Sequence, residues 1–409
     1  MPTHLTTLSI NGQQSSAYKS TADLGIVREL YSPDASPAGA YIHIPFCFHK
    51  CHYCDFYSLV ENRGREAAFV ARLVDELRII GGYLKQPLRT IFFGGGTPTL
   101  LETSLWQDLL RAINQHLPIA QNAEITVEAN PETVRPDLMD LLAKGGINRI
   151  SIGAQSFQPD HLKALERWHD PENVKRAIVL AQESGITNIN IDLIFAIPGQ
   201  TLNDWLTDLD TAISLSPSHL SCYGLTYEPN TPLTEKLRQG RIIRVDEDLE
   251  AEMYEATRKK LTEAGYEQYE ISNWAKPHYQ CQHNLMYWNN KNWWAFGPSA
   301  SGHINGLRWK NVPHLGEYLK ATDLPSIIDV EKLDEDGQVG EALMLGLRLT
   351  QGIKLIDLDA LLLKGKQGKE RLCVIDQHTQ SGLLEKTADR IRFTAKGQLL
   401  ADSVLSDLI

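Results

Sequence analysis

The chain of 409 residues contains no stretch approaching the ~18 consecutive apolar residues that a membrane-crossing helix needs, which excludes such a span. It also lacks a basic excess. Forty Lys and Arg stand against 51 Asp and Glu, a formal charge of −11, and general nucleic-acid binding needs a positive field. No nucleic-acid partner is therefore expected. The first forty residues hold only Lys19 and Arg28 as basic groups and no apolar core segment. Neither a secretory signal nor an Arg-rich transit peptide is expected there, and the chain reads as cytoplasmic. Cysteine is scarce, at six residues, and a disulfide scaffold would be smaller and far richer in it. The rest is ordinary: 42% apolar and 22% charged residues suit a chain with a large core. At about 150 residues per domain, the length corresponds to two or three domains.

Three of the six cysteines fall within eight residues, in Tyr41-Ile-His-Ile-Pro-Phe-Cys47-Phe-His-Lys-Cys51-His-Tyr-Cys54. In a reducing compartment, thiols at C-x3-C-x2-C spacing read as metal or redox ligands. A cubane iron–sulfur cluster has four irons, so three thiolates leave one corner open for another ligand. Structural zinc is the competing reading. It wants four donors, and His49 or His52 would have to complete the set, because no second ligand pair follows downstream. Of the remaining cysteines, Cys373 reads as a core thiol in an apolar helix.

Between residues 41 and about 230, short β-branched runs alternate with helical periodicities. The runs are 41–45, 90–94, 124–129, 149–155, 188–198 and 219–227. Val70, Leu73, Val74, Leu77 and Ile80 form one helical face, and Leu202, Trp205, Leu206, Leu209 and Ile213 another. Six βα repeats predict parallel strands with right-handed crossovers, too few to close an eight-stranded barrel. The expected fold is α/β: a partial, open (β/α)6 barrel. Chemistry in such folds gathers at the C-terminal ends of the strands. That rim collects Cys47, the turn Gly94-Gly-Gly-Thr-Pro98, Glu128, Gln155 and Asp192. Taken singly, the glycine turn is also a plain strand end and each acid a satisfied structural group.

Together these residues resemble the radical S-adenosylmethionine superfamily, and within it the family around oxygen-independent coproporphyrinogen III oxidase. The likeness covers roughly residues 38–409 and is most specific in the cysteine motif. It implies a 4Fe–4S cluster on Cys47, Cys51 and Cys54, with S-adenosylmethionine on the fourth iron. It further implies that Tyr41 and Tyr53 contact the adenosyl group and Gly96 and Thr97 the methionine end. Glu128 would then face the ammonium, Gln155 and Asp192 the ribose, and Arg167 the carboxylate. His43, His49 and His52 read as supporting or exposed groups.

Two departures separate the chain from the oxidase. Phe56 stands where the oxidase has a further Cys, and residues 1–38 lack the oxidase's N-terminal arm and read as a flexible segment. His283-Asn-Leu-Met-Tyr287-Trp288 instead matches the H-N-x-x-Y-W motif of the family's heme-chaperone branch. A histidine among aromatics is also what a flat macrocycle needs, which makes heme a third cofactor and His283 a candidate heme ligand, with a Trp-rich core as the plain alternative. The resemblance thus implies heme transfer to an acceptor protein of unknown identity. Oxidative decarboxylation of coproporphyrinogen is the alternative, and whether the chain is an enzyme stays open. A homodimer and a peripheral contact with a membrane acceptor stay open too. The domain reading is 1–38 flexible, 39–270 barrel core, 271–330 aromatic heme segment and 331–409 a winged-helix-like unit, with an α/β extension between core and C-terminus. Residues 357–409 carry eight Lys/Arg and eight Asp/Glu, so that last unit is read as packing or covering rather than DNA-binding.

Overall fold

The structure is a computed structural model that describes residues 19–60 and 64–409. Six parallel strands form its centre: β1 (Gly39–Ile44), β2 (Leu88–Gly95), β3 (Ile119–Ala129), β4 (Arg149–Gln155), β5 (Asn188–Phe195) and β6 (His219–Gly224). They lie side by side in sequence order and do not close into a barrel. The helices Glu66–Gly81, Thr103–His116, Pro136–Lys144, Glu172–Glu183 and Leu202–Ser214 follow the first five strands. The expected faces are buried: Val70, Leu73, Leu77 and Ile80 on the first helix, Trp205 and Leu209 on the last.

The side-chain alternation of the strands separates core from site. Ile42, Phe93, Val127, Ile150 and Ile189 line up across the sheet, with Ile44, Ala129, Ile152, Ile191 and Leu220 one row further. These rows belong to the main hydrophobic core. The opposite face carries His43, Gly94, Glu128, Ser151 and Asn190 in register, then Gly153, Asp192 and Ser221. A parallel sheet buried on both faces reads as continuous apolar runs. This one is polar on its concave side, which is the signature of a lined cavity.

Residues 271–330 are not a separate unit. Asn273–Ala275 pairs antiparallel with β6 and with Glu267–Glu270, so the expected boundary at 270 cuts a hairpin. Trp293–Phe296 runs parallel to β1 at the other edge, followed by the antiparallel strands Ser301–Ile304, Leu307–Asn311 and Ser326–Lys332. The segment therefore extends the six parallel strands on both sides within one 13-stranded sheet among the described residues, whose edge strands are Lys19–Ser20 and Glu267–Glu270. The flexible N-terminal segment is corrected over residues 19–38. Lys19–Ser20 pairs with Ser326–Ile327, and Ile26, Val27 and Leu30 are buried in the core. Residues 1–18 lie outside the described residues.

The C-terminal unit packs the helices Glu335–Arg348, Leu355–Lys364 and Gly368–Gln380 against a three-stranded antiparallel sheet, Ile353–Lys354, Leu384–Lys386 and Arg390–Phe393. That is a winged-helix-like arrangement with its own apolar cluster. Cys373 is exposed, correcting the expected core thiol; its helix turns Ile375 inward instead. Among the described residues, no helix is long and apolar enough to cross a membrane.

Candidate metal centre and cofactor site

The cysteine loop leaves the C-terminal end of β1 and is tied down at both ends. His43, on the concave face, places Nε2 2.8 Å from the Tyr57 carbonyl, and its Nδ1 lies 3.2 Å from the Tyr41 hydroxyl. The Tyr57 hydroxyl accepts the Leu315 N–H at 2.8 Å. In between, the Leu165 carbonyl accepts the His52 N–H, and the His52 carbonyl accepts that of Leu233. A loop that needs to present three thiols together is thus fixed by its own backbone and by neighbouring helix ends.

All three thiols are free. The Thr97 hydroxyl donates to Cys47 Sγ at 3.6 Å, and Arg167 Nη1 points at Cys51 Sγ at 3.7 Å. Burial pushes the Cys54 thiol up to about 12 and also raises that of Cys47, and the neighbouring thiols add to both shifts. Thiols so placed need a strong cationic centre to hold them as thiolates. Among the described residues, no three His, Cys, Asp or Glu side chains converge on a position for a single metal ion. Three free thiols on one short loop, with the Thr97 hydroxyl and Arg167 beside the sulfurs of Cys47 and Cys51, are a donor set that suits an iron–sulfur cluster.

The glycine turn after β2 is shaped by contact. Gly95 has φ +105°, and a Cβ there would meet the His43 ring at 2.4 Å. A Cβ on Gly96 would meet the Phe46 carbonyl oxygen at 2.6 Å. The N–H groups of Gly96 and Thr97 donate to the Ile44 and Phe46 carbonyls, so the turn braces the cysteine loop directly. Neither N–H is left for a ligand; the Thr97 hydroxyl already faces sulfur.

Among the described residues, Glu128 accepts only a long bond, 3.3 Å, from the Gly95 N–H. Desolvation first, and then the negative charge of Asp192, push its carboxyl up to about 8. A partly buried acid with no ion pair among the described residues, and only the more distant positive charge of Arg149 offsetting its burial, fits a ligand ammonium. Asp192 accepts bonds from Ser151 Oγ at 2.9 Å and Asn190 Nδ2 at 2.8 Å. Gln155 sits at φ +64°, on the register shift between β4 and β5. Arg167 donates to the Gly153 carbonyl at 2.9 Å, while its buried Nε has no partner among the described residues. Tyr41 stacks on Phe92, and Tyr53 packs near Leu165 and Leu225 behind the loop. Glu128 and Asp192 line a narrow polar cleft together with Arg149, Ser151, Asn190 and Tyr223 among others. The fold thus brings Tyr41, Glu128 and Asp192 to one concave face, and the thiols, Thr97 and Arg167 to its rim.

His283 is placed differently from expectation. It begins the helix Gln282–Trp288, whose N-terminal N–H groups at 282 and 283 donate to Glu124 from β3, each at 3.0 Å. The ring is 1% exposed and stacks on Phe92 with centroids 5.1 Å apart. Nδ1 lies 2.9 Å from Thr90 Oγ1 and Nε2 2.9 Å from the Tyr287 hydroxyl. With both nitrogens engaged by hydroxyls and the ring buried, His283 serves the packing of the helix against the sheet in this structure. Trp288 receives the Arg348 guanidinium at 4.6 Å, and Asn290 donates to Glu341 at 2.8 Å. The motif bolts the C-terminal unit to the floor of the sheet. Sequence reasoning missed Glu124, Arg149 and Asn190; each alternates with apolar residues along its strand, a visible signal of a polar concave face.

An open parallel sheet with a three-thiol loop and a glycine turn at its carboxyl rim defines a radical S-adenosylmethionine protein. The Radical SAM superfamily model matches residues 41–212, and the HemN C-terminal domain model residues 333–400. The fold resembles the solved structure of the radical SAM enzyme coproporphyrinogen III oxidase (HemN) from Escherichia coli, with a TM-score of 0.80 at 22% identity over 95% of this chain and 94% of that one. The heme chaperone HemW of Mycobacterium tuberculosis is 36% identical over 91% of this chain and 95% of its own length. Those of Escherichia coli and Bacillus subtilis are 37% and 35% identical over 90% and 89% of this chain, and over 97% of their own lengths. The chain belongs to the HemW family.

Proposed function

We propose that the protein is a heme chaperone: it binds heme and passes it to an acceptor protein. The observation that carries this is the kinship to heme chaperones along nine-tenths of the chain. Phe56 agrees with it, standing where the oxidase motif has a cysteine. In this reading Cys47, Cys51 and Cys54 hold a 4Fe–4S cluster, and S-adenosylmethionine occupies its open corner. Glu128 takes the ammonium, Arg167 the carboxylate, and Gln155 and Asp192 the ribose, with Tyr41 and Tyr53 against the adenosyl group. Gly96 and Thr97 shape the methionine end through packing and the Thr97 hydroxyl. Bound there, the pair supplies one-electron chemistry. The chain's own residues orient the sulfonium and keep water from the concave face. The chaperone works in the cytoplasm, in contact with an acceptor.

The test is anaerobic reconstitution with iron and sulfide, followed by hemin titration and by incubation with coproporphyrinogen and S-adenosylmethionine. A stoichiometric Soret shift without protoporphyrinogen formation is expected. Catalytic turnover to protoporphyrinogen would assign the chain to the oxidase instead. Electron paramagnetic resonance with and without S-adenosylmethionine tests the cofactor, whose addition should change the cluster signal.

A further inference from the structure

Burial of the H-N-x-x-Y-W motif leaves the heme site unassigned, and the outer face of the cysteine loop offers one. His49 and Trp168 stack with centroids 4.2 Å apart and planes 7° from parallel. Trp168 is 58% exposed, and Phe48, next to His49, is 69% exposed. Large aromatics exposed close together along one loop and its neighbour offer an apolar surface to a ligand.

Around this pair lie imidazoles with nothing to bond. His49 Nε2, His52 Nδ1 and both ring nitrogens of His169 are without hydrogen-bond partners among the described residues. A buried nitrogen left unpaired carries a desolvation cost, and clustered ones point to a missing ligand. Two of the three histidines sit inside the cysteine loop, and the third follows Trp168 directly. Lys50 lies in the same loop, and its ammonium reaches only the Phe56 carbonyl, at 3.4 Å, with no carboxylate partner among the described residues.

We propose that the Phe48, His49 and Trp168 face is where the heme macrocycle docks, with an imidazole of the same patch supplying the axial nitrogen and Lys50 facing a propionate. The chemistry selects a metalloporphyrin over a peptide. A planar apolar ligand matches the pre-stacked rings, its iron takes imidazole nitrogen, and its acidic edge takes a cation. The proposal rests on the heme-chaperone reading above. It places heme at the exposed aromatics of the cluster loop and not at the buried His283.

Hemin titration of the full, reconstituted chain tests it. The Phe48→Ser/Trp168→Ala double variant alters exposed side chains only, and unchanged iron and sulfide content verifies that its loop is intact. Tyr287→Phe serves as comparison in the buried motif. We expect at least tenfold weaker hemin binding in the double variant, wild-type binding in Tyr287→Phe, and recovery in Phe48→Tyr/Trp168→Phe. Equal hemin affinity in wild type and double variant overturns the docking face while leaving the heme reading standing. Absence of hemin binding by the wild type overturns the heme reading itself.

Discussion

Replacing His283 by alanine distinguishes a fold lock from a heme ligand. The substitution removes a buried ring and leaves the Thr90 and Tyr287 hydroxyls, each now 2.9 Å from a ring nitrogen, without that partner. A buried polar group losing its partner costs about 1–3 kcal/mol, and the lost stack on Phe92 about 0.5–1.5 kcal/mol more. The sum is roughly 3–7 kcal/mol, a large part of the ~5–15 kcal/mol that holds a protein folded. At about 2 °C per kcal/mol for large domains, Tm should drop by roughly 5–15 °C. Burial also drives this imidazole down to about 3, below its unfolded value near 6.5, so the unfolded chain takes up a proton that the folded one does not; wild-type stability should fall as pH drops below about 6.5, and His283→Ala should lose that component. Thermal unfolding of the cluster-free chain reads the effect, with hemin titration at a temperature where the variant is folded as the second measurement. A Tm within 1–2 °C of wild type (~1 kcal/mol or less), together with lost hemin binding, would refute the fold-lock reasoning and restore His283 as a ligand.

Glu76 is buried, accepts the Tyr318 hydroxyl at 2.7 Å, and is pushed by burial up to about 7. Its folded pKa lies above the unfolded value near 4.5, so the folded state holds the extra proton and stability should fall as pH rises from about 4.5 to 7. Glu76→Gln should flatten that slope in denaturant titrations at several pH values; an unchanged slope would remove the assignment. Cys51→Ser should lose cluster iron and visible absorption on reconstitution, whereas Cys373→Ser, on an exposed thiol, should keep both. Glu128→Gln should retain the cluster but bind S-adenosylmethionine at least tenfold more weakly, about 1.4 kcal/mol, by equilibrium dialysis. Wild-type affinity in that variant would free Glu128 from the ammonium role.

Local chemistry explains which features were legible. The C-x3-C-x2-C loop, the glycine turn and the six strand runs are contiguous in the chain, so spacing and period expose them directly. The concave acids were also visible, because Glu128 and Asp192 interrupt runs of Ile and Val. The packing role of the aromatic segment was not legible, for a definite reason. A histidine among tryptophans has the same composition whether it faces a cavity or a core, and only the partners of its two nitrogens separate the cases.

Sequence alone determined the thiol spacing, the α/β class and the strands that carry the site, because each depends on residues close together along the chain. Tertiary structure decided what long-range pairing controls. It set residues 271–330 on both sides of the six parallel strands. It gave His283 to Thr90, 193 positions away, and brought Trp168 onto His49. Whether a side chain is spent on the fold or left for a ligand depends on neighbours that the chain brings in from afar, and those neighbours leave no local pattern.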